Sequence, residues 1–237
     1  LAEPPRVDLG RLRQFKNDVV KKMTSGIALL EKGNGVEVLK GTATFVGPGA
    51  IEVESGGERT RVEAPAFLVA TGARPVQIPG LEFGPDVWSA KEAVDLPEIP
   101  GRLVVIGGGV IGMELGTVYA KLGSKVTIVE ALPGILTGVD PEAVRLVQKG
   151  LRDRGGAVLV NAKAKGMSRR GRALTLTVEA DGKEQAVEAD KVLVAVGFRP
   201  NTEGLGLEKA GVRLDARGFV QVNERFHRDI EATWKKP

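Results

Sequence analysis

The chain has 237 residues, 42% apolar and 27% charged, the balance of a globular protein with room for one large domain or two small ones. It contains no cysteine and one histidine, His227, which excludes disulfides, thiolate metal sites, a redox dithiol and any His-based catalytic or metal constellation built from this chain. The net charge of +4 is mild and its basic residues are dispersed, so nucleic acid is not implied as a partner. Neither a secretory leader nor an apolar run of membrane length appears, which predicts a cytoplasmic protein without a membrane partner. The first residue is Leu1 rather than methionine, as expected of a processed product or a fragment.

Asp8 is placed to cap a helix. Leu12, Phe15, Val19, Val20, Met23, Ile27 and Leu30 follow at helical spacing, predicting an amphipathic packing helix over Arg11–Glu31 that ends at Gly33-Asn34-Gly35. Val36–Arg61 reads as a β meander. Val36–Lys40 alternates, Ala43–Val46 continues, Ala50–Val53 gives the next strand, and Arg59–Glu63 returns after turns at Gly47-Pro48-Gly49 and Ser55-Gly56-Gly57. Ala64–Ala70 is predicted as an apolar strand running into Thr71-Gly72-Ala73-Arg74-Pro75. Small residues at a strand end imply close backbone approach, to a ligand or to a neighbouring strand. Val76–Pro100 carries Pro79, Pro85, Pro97 and Pro100 and reads as a linker with one helical turn near Ser89–Val94. Ser89 is read as a cap, because no G-x-S-x-G surrounds it and no base is available.

Arg102–Glu130 carries the strongest signal. Leu103-Val104-Val105-Ile106 is an apolar run of buried-strand length, and Gly107-Gly108-Gly109-Val110-Ile111-Gly112 fits G-x-G-x-x-G directly after it. Met113, Leu115, Val118, Tyr119 and Leu122 then fall near helical spacing. Gly123 stops the helix, and Lys125–Val129 reads as a second strand ending on Glu130. Strand, glycine loop, helix and terminal acid form a dinucleotide fingerprint. Gly107 allows the turn, Gly109 lets a pyrophosphate approach, and Gly112 and Gly116 let the helix pack close. The helix start offers N–H groups and partial positive charge to phosphates. Glu130 can accept two ribose hydroxyls, and Ala131-Leu132 rather than a basic residue follows it, which argues for NAD over NADP.

Asp140-Pro141-Glu142 predicts a capped helix to Arg154, stopped by Gly155-Gly156. Ala157–Val160 reads as the third parallel strand. Ala164–Ser168, Leu174–Ala180 and Gln185–Glu188 form an antiparallel excursion with Asp181-Gly182 as a hairpin signal. Asp190–Val196 is a buried strand, and Gly197 at its carboxyl end is a candidate cofactor contact, since ligands of open α/β sheets collect at that edge. Leu205–Ala210 reads as a short helix and Gly218–Val222 as a short strand. His227 is read as a surface residue, and no catalytic residue or metal ligand is nominated anywhere in the chain.

The fingerprint, the Ala70-Thr71-Gly72 strand end, the Val196-Gly197-Phe198-Arg199-Pro200-Asn201 segment and Gly204–Gly211 stand in an order that resembles the pyridine nucleotide-disulfide oxidoreductases, dihydrolipoyl dehydrogenase type, from about Val7 to Phe226. The resemblance implies an α/β fold: a Rossmann-like NAD-binding domain, a parallel sheet with an antiparallel meander, inserted into a partial FAD-binding domain. Residues 1–78 would be the second half of that FAD domain, 79–100 a linker, 101–200 the NAD domain, and 201–237 a return toward the FAD domain. The NAD contacts implied are Gly107, Gly108, Gly109, Val110, Ile111, Gly112, Met113 and Glu114, with Glu130 on the ribose, Ala164 in an adenine-packing position and Gly197 by its backbone. Glu114 would lie near the nicotinamide–flavin interface. Ala43, Thr71, Gly72 and Ala73 are the implied FAD contacts.

The family transfers hydride between FAD and NAD, coupled to dihydrolipoamide oxidation, as a homodimer that can serve a 2-oxo acid dehydrogenase complex. This chain departs from the pattern in lacking a second, amino-terminal G-x-G-x-x-G, the C-x-x-x-x-C pair and a catalytic His-Glu pair. Phe198 stands where arginine is common, and the chain after Phe226 leaves the family pattern. The expectation is an NAD(H)-binding core that is inactive in isolation and does not retain FAD. The sequence also leaves open a non-catalytic NAD-binding or interaction module, and a piece of another FAD/NAD-dependent reductase. The same reading predicts apolar surface on the Arg11–Glu31 helix and along Ala64–Ala70.

Overall fold

Apolar runs too short to be helices set the centre of the structure. The computed structural model describes residues 7–171 and 173–227; the polar segment 228–237 lies outside the described residues. The elements are α1 (Leu9–Gly33), β1 (Thr42–Gly47), β2 (Ala50–Ser55), β3 (Glu58–Glu63), β4 (Ala73–Pro75), β5 (Val87–Trp88), α2 (Ala90–Asp95), β6 (Arg102–Ile106), α3 (Val110–Lys121) and β7 (Lys125–Val129). They continue as α4 (Pro141–Arg152), β8 (Ala157–Leu159), β9 (Ala162–Arg170), β10 (Ala173–Ala180), β11 (Lys183–Ala189), β12 (Lys191–Val194) and β13 (Phe198–Pro200), ending in a 3-10 turn at Leu207–Ala210. The chain divides into two compact units. One comprises the residues up to Lys21 with Pro75–Gly197; the other comprises Lys22–Arg74 with the residues from Phe198 onward.

The first unit is built on a parallel sheet of order β5-β12-β6-β7-β8. Strands covered on both faces bury every side chain, which is why β6 shows no polar alternation. Successive side chains still point to opposite faces. Leu103, Val105 and Leu193 turn to the face covered by α2, α3 and α4, where they meet Ala93, Met113, Tyr119 and Leu151. Val104, Ile106, Val192 and Val194 turn to the other face and meet Leu174, Leu176 and Val178 of β10. That face is covered by the antiparallel sheet β11-β10-β9, the predicted excursion, whose Asp181-Gly182 turn has two positive φ angles of 51° and 74°.

Local signals set the helix ends. Asp140 accepts from the Glu142 N–H at 2.8 Å with Pro141 in the first turn of α4. Ser89 caps α2 in a reciprocal pair: its hydroxyl accepts from the Lys91 N–H, and the Glu92 carboxylate accepts from the Ser89 N–H. Hydrogen bonding to Ser89, through its side chain first and its backbone N–H second, holds the Glu92 carboxyl below the usual glutamate range. Asp8 accepts from the Arg11 N–H, Leu9 and Leu12 pack on the helix-side core, and Lys16 pairs with Asp95 at 2.8 Å. At the amino ends of the strands, the Asp190 carboxylate accepts from the Arg102 backbone N–H at 2.8 Å and from its guanidinium at 2.7 Å.

The second unit contains the sheet β1-β2-β3, with Phe45 packed edge-on to Phe67 at 5.3 Å between ring centroids, and Leu207 and Ala210 in the same small core. Four expectations are corrected here. Val36–Lys40 and Ala64–Ala70 form no strand: among the described residues no ladder partner meets them, and an apolar pattern without one leaves backbone groups unpaired. The predicted helix over Leu205–Ala210 shortens to the 3-10 turn because Gly206 takes a left-handed backbone, φ 65°, against the Phe45 carbonyl. Gly218–Val222 gives only an isolated bridge, Leu214 to Val220. The apolar stripe of α1 lies on the surface, with Phe15, Met23, Ile27 and Leu30 exposed, as the sequence implied. No helix among the described residues is long and apolar enough to cross a membrane.

Candidate functional site

The glycine loop leaves β6 at its carboxyl end and enters α3 with Gly109 as N-cap. Its glycines serve different neighbours. Gly107 has φ 108° and a Cβ there would strike the Ala195 carbonyl on β12's continuation; Gly112 lies against the Gly107 carbonyl, where a Cβ would also clash. A Cβ on Gly116 would come within 3.0 Å of the Ile128 Cδ1 methyl. Gly107 and Gly112 are required by the protein's own backbone, whereas at Gly116 the Ile128 methyl would have to give way by a few tenths of an ångström. Gly109 is different: an added Cβ would meet no protein atom within 4 Å, and its φ of −71° suits any residue. No neighbouring atom inside the chain demands glycine there.

Met113 is the first residue of α3 to donate back along the helix, to the Gly109 carbonyl at 3.0 Å. The N–H groups of Val110, Ile111 and Gly112 precede it at the helix start, where α-helix geometry supplies no intrahelical acceptor. Met113 itself turns its side chain into the core at 2% exposure, away from the loop. Val110 and Glu114 are exposed on α3, and Ile111 is half-buried.

Glu130 closes the site from the next strand. It is 9% exposed; its Oε2 accepts from the Gly108 N–H at 2.6 Å and its Oε1 from the Leu132 N–H at 2.7 Å. Two backbone donors hold the carboxylate in one orientation, and each oxygen retains acceptor capacity for a hydroxyl. The segment around Glu130 is tied to β8 and β9, since the Glu130 N–H donates to Leu159 and its carbonyl accepts from Ala162. Gly197 follows β12 at the same carboxyl edge, with φ 121° and its carbonyl accepting from the Val76 N–H at 3.0 Å. Ala164, two residues beyond Ala162, is half-buried on β9 against the core under the sheet. The structure thus brings the loop, Glu130 and Gly197 to one edge.

The residues read as FAD contacts lie in the second unit. Ala43 sits mid-strand in β1, opposite Val53. The Thr71 hydroxyl donates to the Asn201 carbonyl at 2.8 Å, Asn201 Nδ2 donates to the Thr71 carbonyl, and the Asn201 N–H donates to the Gly72 carbonyl. Gly72 has φ 71°, and Arg74 ion-pairs with Glu203 at 2.5 Å. The close backbone approach expected of Thr71-Gly72-Ala73 is therefore made, in part, to the Asn201 segment.

Tyr119 is fully buried, donates its hydroxyl to the Ala93 carbonyl at 2.8 Å, and burial pushes its phenol up to about 12, so it locks α3 onto α2 and does not ionise near neutrality. Among the described residues no group of three or more His, Cys, Asp or Glu side chains could hold a metal ion. Ile135 and Leu136, which reach the loop from the segment after β7, were not legible in the sequence, because no periodicity or motif marks them.

A parallel sheet with a glycine loop at its carboxyl edge and an acid on the adjoining strand defines a Rossmann-like α/β protein. The family description for pyridine nucleotide-disulphide oxidoreductase matches residues 2–234, and the chain belongs to that family. It is 47% identical over 229 residues to dihydrolipoyl dehydrogenase of Thermus scotoductus, spanning 95% of this chain and 49% of that protein. It is 41% identical to the Geobacillus stearothermophilus enzyme of the same name, spanning 97% of this chain and 49% of the relative. Among solved structures, LpdA from Mycobacterium tuberculosis superposes with a TM-score of 0.84 at 27% identity, covering 92% of this chain and 49% of that one. The HOCl-induced flavoprotein disulfide reductase RclA from Escherichia coli gives 0.80 at 30% identity, covering 94% and 50%. The chain spans about half the length of the curated relatives it matches.

Proposed function

We infer that this chain is the NAD(H)-binding core of a flavin-dependent, dihydrolipoyl dehydrogenase-like oxidoreductase. The observation that carries the reading is the contrast within the loop: Gly107 and Gly112 are demanded by protein atoms, whereas Gly109 faces open space at the start of α3, with the Glu130 carboxylate held beside Gly108. The N–H groups of Val110, Ile111 and Gly112 would bind a pyrophosphate, aided by the helix dipole. Glu130 would accept ribose hydroxyls, and its charge would oppose a 2′-phosphate, so NADH is preferred to NADPH. When bound, the dinucleotide would supply hydride chemistry, with the residues named above holding it. Glu114, exposed on α3, is assigned to the nicotinamide–flavin side.

The chain has no cysteine, so it holds no dithiol to exchange electrons with a substrate, and the isolated chain is inactive in dihydrolipoamide oxidation. FAD is assigned to the parent protein, with Ala43, Thr71, Gly72 and Ala73 as its contacts here. The parent is read as a homodimer able to serve a 2-oxo acid dehydrogenase complex. Titration of the purified chain with NADH and NADPH tests the core of this reading: saturable NADH binding is expected, and no binding at millimolar NADH would sink it.

A further inference from the structure

The second glycine of the loop is gripped from both ends of its residue. The Gly108 N–H donates to Glu130 Oε2 at 2.6 Å, and the Gly108 carbonyl accepts from the Leu136 N–H at 2.8 Å. A Cβ on Gly108 would lie 2.6 Å from the Ile135 Cγ2 methyl, so the buried Ile135 side chain already fills the space beside this residue. Leu136 makes its bond from a left-handed backbone, φ 50°, which L residues other than asparagine and aspartate seldom adopt. The rest of the segment is anchored too. Leu132 donates to Glu130 Oε1 and accepts from the Asn161 N–H, and the Leu136 carbonyl accepts from Val139. A strained residue persists only where its surroundings over-determine it. Here the surroundings are the glycine loop.

Neither Ile135 nor Leu136 belongs to the G-x-G-x-x-G pattern or follows from it. We propose that Ile135 and Leu136 are positioning residues for the glycine loop, bracing Gly108 so that the loop rests in its binding shape before any nucleotide arrives. This rests on the assignment of the loop to NAD(H). Affinity falls in proportion to the fraction of molecules whose loop is competent, so loosening that leaves one-tenth of them competent raises the Kd about tenfold. The brace touches no ligand in this scheme. It acts through the Gly108 peptide alone.

The test uses the full chain in two measurements. Amide hydrogen exchange of peptides spanning Gly107–Gly109 is followed without nucleotide, and NADH is titrated well below each variant's unfolding midpoint. Ile135→Ala and Leu136→Pro remove the two halves of the brace. Ile135→Val keeps the packing, and Leu136→Gly keeps the N–H while easing the left-handed backbone. The expected result is faster exchange at Gly108 and a roughly tenfold higher Kd in the first pair, with near wild-type behaviour in the second. Unchanged Gly108 exchange in Ile135→Ala overturns the proposal, as does faster exchange with an unchanged Kd. Ile135→Ala carries the test alone if Leu136→Pro does not fold. A wild-type chain that binds no NADH, with faster Gly108 exchange in Ile135→Ala, removes the cofactor assignment and supports the brace.

Discussion

The parallel sheet of the first unit and the β1-β2-β3 sheet of the second bury their strands in different ways. In β6, Leu103, Val104 and Val105 are at 0–1% exposure and alternate between two separate cores. In β1-β2-β3 the buried set reduces to Phe45, Ala50 and Val53, and β3, Glu58–Glu63, is exposed apart from the half-buried Val62. A strand covered on both faces ties helices to one side and a second sheet to the other, so losses there propagate through the whole first unit. A strand covered on one face supports only a local cluster. The candidate nucleotide site stands on the first kind of sheet, and that is why a short loop can be held to a defined shape.

The sharpest way to break this comparison is to cut a cavity under the parallel sheet. Leu174→Ala, at a fully buried position facing Val104 and its neighbours, should cost about 2–5 kcal/mol in urea unfolding. Leu68→Ala, at 93% exposure in the second unit, should stay within about 0.5 kcal/mol. Equal costs would end the distinction between the two regions.

The next largest effect separates glycines of one motif. Gly112→Ala forces a methyl into the Gly107 carbonyl and should cost about 3 kcal/mol, the upper part of the usual overpacking range. Gly109→Ala should leave unfolding within about 0.5 kcal/mol of wild type while weakening NADH binding. A Gly109→Ala chain that binds normally would show that nothing approaches Gly109 closely.

Glu130→Ala should weaken NADH binding by about 1–3 kcal/mol, the range for hydrogen bonds to a charged group. Unchanged affinity in that variant would remove Glu130 from the site. The smallest effect is the acid dependence of the Arg102–Asp190 pair at the opposite end of the strands. The hydrogen bonds from Arg102 hold the Asp190 carboxyl below its ordinary value of 3.8. A depressed folded value means the contribution is fully present above about pH 3.8 and is lost as pH falls through the lower folded value. Asp190→Asn should flatten stability over that interval, and an unaltered acid limb would show the pair to be inert.

What the sequence made legible was local. Asp140-Pro141 and Ser89 announce helix starts because a cap is satisfied within three residues, and Asp181-Gly182 announces a hairpin because two positive φ angles suit few residue pairs. The β6–α3–β7 fingerprint is legible because the same close approaches recur wherever a helix start must face a phosphate. Val36–Lys40 and Ala64–Ala70 misled for the complementary reason. Their apolar character is real, but a strand exists only where another strand supplies its hydrogen bonds. Val87–Trp88 is the reverse case: two residues in a proline-rich stretch, too short to show a period, become an edge strand because β12 offers its free side.

By itself, then, the sequence determined the chemistry on offer: a glycine loop on a helix start, an acid one strand away, no thiol and one histidine. Those follow from residue identity and spacing, which need no knowledge of distant neighbours. Only the tertiary structure decided which glycine answers to the protein and which faces open space, because that depends on what lies within 4 Å of an absent Cβ. It also decided that Glu130 is pinned by Gly108 and Leu132 and that Ile135 and Leu136 lean on the loop. Such contacts join residues up to 28 positions apart (Gly108 to Leu136), and at Gly108, Leu132 and Leu136 they use backbone groups that every residue carries, so the side-chain pattern does not mark those partners.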